Sequence, residues 1–319
     1  MKKSVVIYGN CHTEIISQML ETCKAFNERY YIIPTKRIQN IKDPKELYND
    51  SYRQCDVFIH QSIRLGNRYG EEYASEKIIS RLKAGCKVIS IPNVYHLPLC
   101  FFPQYSDAPE LRKDGVTYFF RDSIIDSHLN QPLTLIKRVK KDYNNPNRFD
   151  RKAIIDSFEL FINKIKKREE DWDIKVSNFI LENYRDHQLF YDPNHPTNFF
   201  LSYIATELLK LLMDNSSEEE DKLAVDNCLD TIEMPISAAV VDTLRLNWVN
   251  DVIRQSNPIT NKLQCKMTLN LYVYQYVSSI WISKDCPPKI KPVSRFLWFL
   301  TSMVSFAHRA CNYMFKNMK

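Results

Sequence analysis

Ser4-Val5-Val6-Ile7-Tyr8-Gly9-Asn10-Cys11-His12 is the stretch from which the whole chain is best read. A short β-branched, apolar run ends at a glycine, as a buried strand does. After the glycine, Ile15, Ile16, Met19, Leu20 and Cys23 recur at helical spacing and give one apolar face. Asp56-Val57-Phe58-Ile59-His60 reads as a second strand. Ile78, Ile79 and Leu82 sit on a helix that stops near Gly85. Lys87-Val88-Ile89-Ser90-Ile91 is a third strand, ended by Pro92-Asn93. Strands alternating with helices predict an α/β domain with a parallel sheet and helices on both faces.

Residues 94–150 carry many prolines and aromatics, as in Leu97-Pro98-Leu99-Cys100-Phe101-Phe102-Pro103, and read as a long loop region with short helices. Helices are expected over 151–169, 172–185 and 197–213. The polar, acidic run Asn215-Ser216-Ser217-Glu218-Glu219-Glu220-Asp221 is the clearest boundary in the sequence. It predicts a domain over 1–214 and a mainly helical region over 222–319, with Leu269 to Trp281 rich enough in tyrosine and valine to be a strand. Near the end, Phe296 to Ala307 is strongly apolar and has basic flanks. It is about half the roughly 20 residues that a bilayer crossing needs. A buried packing helix is the first reading of 289–319, and peripheral membrane contact the second.

Composition sets the bounds. The 319 residues are 44% apolar and 26% charged, enough for a sizeable core. Five glycines argue against glycine-rich phosphate loops. A net charge of +6 is too small and dispersed to imply nucleic-acid binding. Nine cysteines without a CxxC pair predict no metal site and suit a reducing cytoplasm. No signal core precedes the first strand.

In a parallel α/β sheet, ligands bind beyond the carboxyl ends of the strands. Cys11 should stand there, at a helix N-terminus whose N–H groups and dipole favour a thiolate and can hold an oxyanion. Asn10 adds an amide donor. His12 belongs to this oxyanion and substrate group by position, although its side chain should point away from the base. Asp192-Pro193-Asn194-His195-Pro196 places an Asp three residues before a His. That spacing lets the carboxylate fix the imidazole tautomer and leave the other nitrogen as a base. Pro196 suits the first position of the following helix. A simple helix-capping loop is the competing reading. Gln61 and Ser62 leave the second strand and Asn93 the third, so all three are candidates for the same pocket. Tyr95 and His96 follow with less support. Arg64 and Arg68 are candidates for phosphate groups.

Taken in order, Val6-Ile7-Tyr8-Gly9-Asn10-Cys11-His12, Phe58 to Arg64, Ile91 to Tyr95 and Asp192 to Asn198 resemble the WcbI-type polysaccharide biosynthesis acetyltransferases. Those are related in fold to the GDSL/SGNH esterases. The resemblance covers roughly 4–212. It implies an SGNH-hydrolase-like sheet, and coenzyme A or acetyl-CoA as acyl donor to a capsular or exopolysaccharide sugar. It also implies Cys11 in place of the esterase serine, His195 as base and Asp192 as its orienter. No Gly-x-Asn-Asp block is present, so a third oxyanion donor is not identified. The location implied is cytoplasmic, with peripheral contact at the inner membrane face as the extension of the 289–319 reading. Two alternatives stand beside acyl transfer: a cysteine-dependent esterase or thioesterase, and a non-catalytic nucleotide- or sugar-binding module.

Overall fold

A computed structural model describes residues 1–94, 97–113, 116–131, 133–213, 223, 225, 233–249, 253–256 and 263–282. Tyr95, His96, the acidic run 215–221 and the apolar segment 289–319 lie outside the described residues. The chain begins with β1 (Lys3–Tyr8), α1 (Cys11–Thr22), α2 (Lys24–Arg29), β2 (Tyr30–Ile32), α3 (Asp50–Arg53), β3 (Val57–Gln61), α4 (Ser75–Ile79) and β4 (Lys87–Ile91). Then come β5 (Tyr105–Lys113), β6 (Val116–Asp122), α5 (Ser123–Asp126), α6 (Leu135–Tyr143) and α7 (Arg151–Arg168). The rest is α8 (Ser177–Asn183), α9 (Asn198–Leu212), α10 (Ala238–Leu244), β7 (Ile253–Ser256), β8 (Leu263–Met267) and α11 (Leu269–Ile282).

Two compact units result. The first comprises Met1–Pro98 and Leu160–Leu229, the second Leu99–Glu159 and Asp230–Lys319. The boundary expected at 215–221 falls outside the described residues.

The first unit is built on a four-stranded parallel sheet in the order β2-β1-β3-β4. Its strands are apolar almost throughout, as strands covered on both faces must be. Val5, Val6, Ile7, Tyr8, Phe58 and Ile59 are essentially inaccessible. Side chains alternate, so Val6, Tyr8 and Phe58 pack in one cluster with Ile38, Leu47, Tyr52, Tyr73 and Ile78. Helix α9 packs against α1 and buries Phe200, Leu201, Ile204, Ala205 and Leu208. Register fixes the functional edge: Tyr8 lies opposite His60, and His60 opposite Ser90. The segments after Tyr8, Gln61 and Ile91 therefore leave the sheet at one level. Strand β2 was invisible to pattern reading, because three residues with only Tyr30 buried show no periodicity.

The second unit corrects two expectations. The stretch read as loop contains an antiparallel hairpin, β5 with β6. Pro109 and a register shift between Asp107 and Leu111 break the alternation that would reveal it. Leu269–Ile282, read as strand-like, is helix α11. Its buried Tyr272, Val273, Tyr276 and Val277 follow helical spacing and pack with Ile124, Ile125, Leu135, Val139 and Tyr143. Tertiary packing has overridden the β preference of tyrosine and valine. Asp122 is fully buried here; Tyr143 Oη donates to it at 2.5 Å, and burial raises its carboxyl to about 7. Among the described residues no helix is long and apolar enough to cross a membrane.

Two smaller boundaries also differ. The helix expected over 172–185 is confined to 177–183, and Pro196 precedes the α9 N-cap Thr197 rather than opening the helix.

Candidate active site

Asn10 caps α1: its Oδ1 accepts from the His12 N–H at 2.9 Å, and its backbone carbonyl accepts from the Thr13 N–H at 3.1 Å. Cys11 is thereby the first residue of the helix, and it is buried. The capped turn is braced from β3. Gln61 Oε1 accepts from the Asn10 N–H at 2.9 Å, while Gln61 Nε2 donates to Pro92 O at 3.2 Å and faces His12 Nδ1 at 3.4 Å. Both amide protons of Gln61 thus point at protein acceptors, so its place is a brace beneath the turn. Asn93 Oδ1 stands 3.5 Å from Asn10 Nδ2. Ser62 follows at the strand exit, half-buried.

Gly9 is required by close approach and not by its backbone angle, since it is absent from the positive-φ residues. A Cβ there would stand 2.6 Å from Gln61 Oε1 and 2.6 Å from Thr13 Cγ2. Relieving both contacts would open the brace and shift the Cys11 turn. Gly9→Ala is expected to cost about 1–3 kcal/mol of stability, typical of overpacking. Thermal or urea unfolding checks this; an unchanged midpoint would contradict the tight contact.

His195 is placed by a different device from the expected helix opening. Tyr191 N–H donates to His195 O at 2.8 Å and Thr197 N–H to Leu189 O at 2.9 Å, so 189–191 pairs back on 195–197. Asp192 lies at the turn and is 1% exposed. Its Oδ1 accepts from the Asn194 and His195 N–H groups at 2.5 and 2.8 Å, and its Oδ2 contacts His195 Nδ1 at 2.9 Å. A carboxylate so held makes Nδ1 the protonated nitrogen and Nε2 the basic one.

The two segments meet through His12. Its Nε2 lies 2.9 Å from the backbone oxygen of Asn194, across 182 residues of sequence. The residue after Cys11 is therefore bonded to the residue before His195. His12 reaches into the Asp192–His195 turn, although its sequence position suggested that it would point away from the base, and acts as a strut between the two loops. Gln61 Nε2–H at one ring nitrogen and the Asn194 carbonyl at the other specify a neutral Nε2–H imidazole. Burial, aided by His195, lowers its pKa to about 3.

Unfolded histidine titrates near 6.5, so between about 6.5 and 3 the unfolded chain binds a proton that folded His12 refuses. Stability from this group is complete above 6.5 and is lost as the pH falls towards 3. Asp122 contributes with the opposite sign, so the difference between wild type and His12→Gln is the informative quantity. The stability advantage of wild type should shrink by a few kcal/mol on acidification through that window. Urea titrations at several pH values measure it; a pH-independent difference would contradict a neutral buried strut.

Of the two arginines in the β3–α4 loop, Arg64 is ion-paired with Asp171 at 3.0 Å and is largely exposed. Arg68 donates to Tyr69 Oη at 2.7 Å and lies over its ring. A third guanidinium escaped sequence reading. Arg168, the last residue of α7, donates from Nη1 to Asn93 O at 3.1 Å. It lies 75 residues from its partner, beyond any local pattern. Among the described residues no group of His, Cys, Asp and Glu could hold a metal ion.

Residues 4–214 match the family "Polysaccharide biosynthesis enzyme WcbI". The chain belongs to that family. The match spans every residue of the Cys11, Gln61, Asn93 and His195 constellation. A solved structure of WcbI, described as a novel polysaccharide biosynthesis enzyme in its native form without a disulfide bond between coenzyme A and one of its cysteines, superposes with a TM-score of 0.69. It is 18% identical and the alignment covers 95% of this chain and 96% of that one, which establishes a shared fold. No curated protein matches. The chain is thus a polysaccharide biosynthesis enzyme by family.

Proposed function

We propose that the enzyme transfers an acyl group, acetyl in the simplest case, from a coenzyme A thioester to a sugar hydroxyl, through an SGNH-like site. The observation that carries this reading is the His12–Asn194 hydrogen bond, which ties the Cys11 turn to the Asp192–His195 turn. The solved relative described with respect to a coenzyme A–cysteine disulfide supports the choice of donor.

In the proposed cycle, His195 Nε2 takes the Cys11 thiol proton, and the sulfur attacks the thioester carbonyl. The Cys11 N–H and Asn10 Nδ2 stand nearest the developing oxyanion. Collapse breaks the C–S bond to coenzyme A, whose thiolate takes the proton from His195. A thioester remains on Cys11. His195 then takes the proton of the acceptor hydroxyl, whose oxygen attacks this thioester; Cys11 leaves as thiolate and recovers that proton from His195. Thiol-to-thioester exchange is nearly balanced, because attacking and leaving sulfurs have similar basicity. Asp192 stabilises the imidazolium in both halves. Ser62 and Asn93 line the acceptor side, and Arg64 meets the donor's phosphates. An acyl-CoA donor places the reaction in the cytoplasm.

The test is free coenzyme A release from acetyl-CoA, followed by chromatography with and without capsular oligosaccharide. Acceptor-dependent release with an esterified sugar supports transfer. Rapid release without acceptor would replace it with hydrolysis. No release would leave a binding module.

A further inference from the structure

Arg168 presents a problem of charge. It is half-buried, its hydrogen-bond acceptor is the neutral carbonyl of Asn93 at 3.1 Å, and no carboxylate among the described residues pairs with it. Its charged neighbour is another cation, Arg64. Burial first, and the Arg64 charge second, hold the Arg168 guanidinium below its ordinary range. Withdrawing a cation from water without an anion costs free energy. A chain that keeps such a group at a strand exit keeps it for an anion.

Position says which anion. Arg168 is bonded to Asn93, whose side chain faces Asn10, the cap of the Cys11 helix. Arg64 follows Gln61, the brace of the same turn, by three residues. Arg168 thus stands next to the Asn93–Asn10 side of the proposed acyl-transfer site, and Arg64, from the loop after β3, is its charged neighbour. Planar donor forks in this arrangement suit phosphate oxygens. The Arg64–Asp171 pair is exposed and worth little, so a phosphate can replace that carboxylate.

We propose that Arg168 and Arg64 form a subsite for a phosphate or pyrophosphate group, with Asp171 as the internal stand-in that the ligand displaces. It rests on the acyl-CoA reading only for the ligand to which that phosphate belongs. The subsite assigns anion recognition to Arg168, and moves it away from Arg68, which is turned to Tyr69.

The experiment is calorimetric titration of the full chain with coenzyme A, pantetheine and adenosine 3′,5′-bisphosphate, using wild type, Arg168→Met, Arg168→Lys and Asp171→Asn. Arg168→Met should weaken coenzyme A binding about 10–100-fold and leave pantetheine binding unchanged, the range of a lost charged hydrogen-bond partner. Arg168→Lys, which keeps the charge, should recover part of the loss. Asp171→Asn should tighten binding a few-fold and steepen its salt dependence. An equal loss for coenzyme A and pantetheine would make Arg168 a structural tie and overturn the subsite. No loss, or wild type that binds neither coenzyme A nor the bisphosphate, would overturn it as well. Wild type that binds the bisphosphate through Arg168 but not coenzyme A would keep the subsite and remove the acyl-CoA reading.

Discussion

Replacing Cys11 by alanine should lower the rate of coenzyme A release from acetyl-CoA by about 10³-fold or more, with the melting temperature nearly unchanged. The size follows from losing the nucleophile of a covalent route, where what remains is binding and oxyanion stabilisation alone. The side chain removed is small and stands at the start of α1, while the cap on His12 N–H belongs to Asn10 and persists. Stability and rate are thereby separable at this position. Cys11→Ser tests the sulfur itself. The hydroxyl fits the same space, but it is far less nucleophilic towards a thioester, so it should recover little of the rate. Rates measured by chromatographic product analysis decide. A rate within threefold of wild type in Cys11→Ala would mean direct transfer, with Cys11 only lining the pocket.

The second large effect is expected at His195. His195→Ala should reduce turnover about 10²–10⁴-fold, the usual contribution of a positioned base. Asp192→Asn should fall in the same range for a different reason. Asn at 192 keeps an oxygen for the His195 and Asn194 N–H groups, so the turn survives. It no longer demands a proton on His195 Nδ1, and the tautomer that presents Nε2 as base loses its advantage. His195→Ala should also flatten the acidic limb of the pH–rate profile, because the titrating base is gone. Wild-type-like turnover in Asp192→Asn, with intact folding, would reduce the aspartate to a turn-forming residue, the capping reading weighed from sequence.

The frame of the site was legible because its signals are local. The run from Ser4 to Tyr8, the glycine after it and the apolar spacing of α1 each declare themselves within a few residues. So do β3, β4 and the Asp192–His195 spacing. What escaped depends on contacts between distant segments. Gly9 reads as a turn former, and its actual constraint is the Gln61 amide arriving from β3. Gln61 reads as an oxyanion donor, yet its amide protons point at Pro92 O and His12 Nδ1. His12 reads by position as a member of the oxyanion and substrate group, and its ring is instead the strut between the two loops. The β5–β6 hairpin and α11 leave no local signal because their cores are made by each other's neighbours. Tyr276 Oη accepts from the Asp122 N–H across 154 residues, a relation no window of sequence displays.

Sulfur and imidazole must work on one carbonyl, and the acyl-enzyme is the species in which that cooperation becomes visible. Incubation of the full chain with isotopically labelled acetyl-CoA, without acceptor, followed by acid quench and peptide mass analysis, reads it directly. One labelled acetyl group per chain on the peptide bearing Cys11, formed much more slowly in His195→Ala, is the predicted result. Label on another cysteine, or turnover with Cys11 alkylated beforehand, would contradict it.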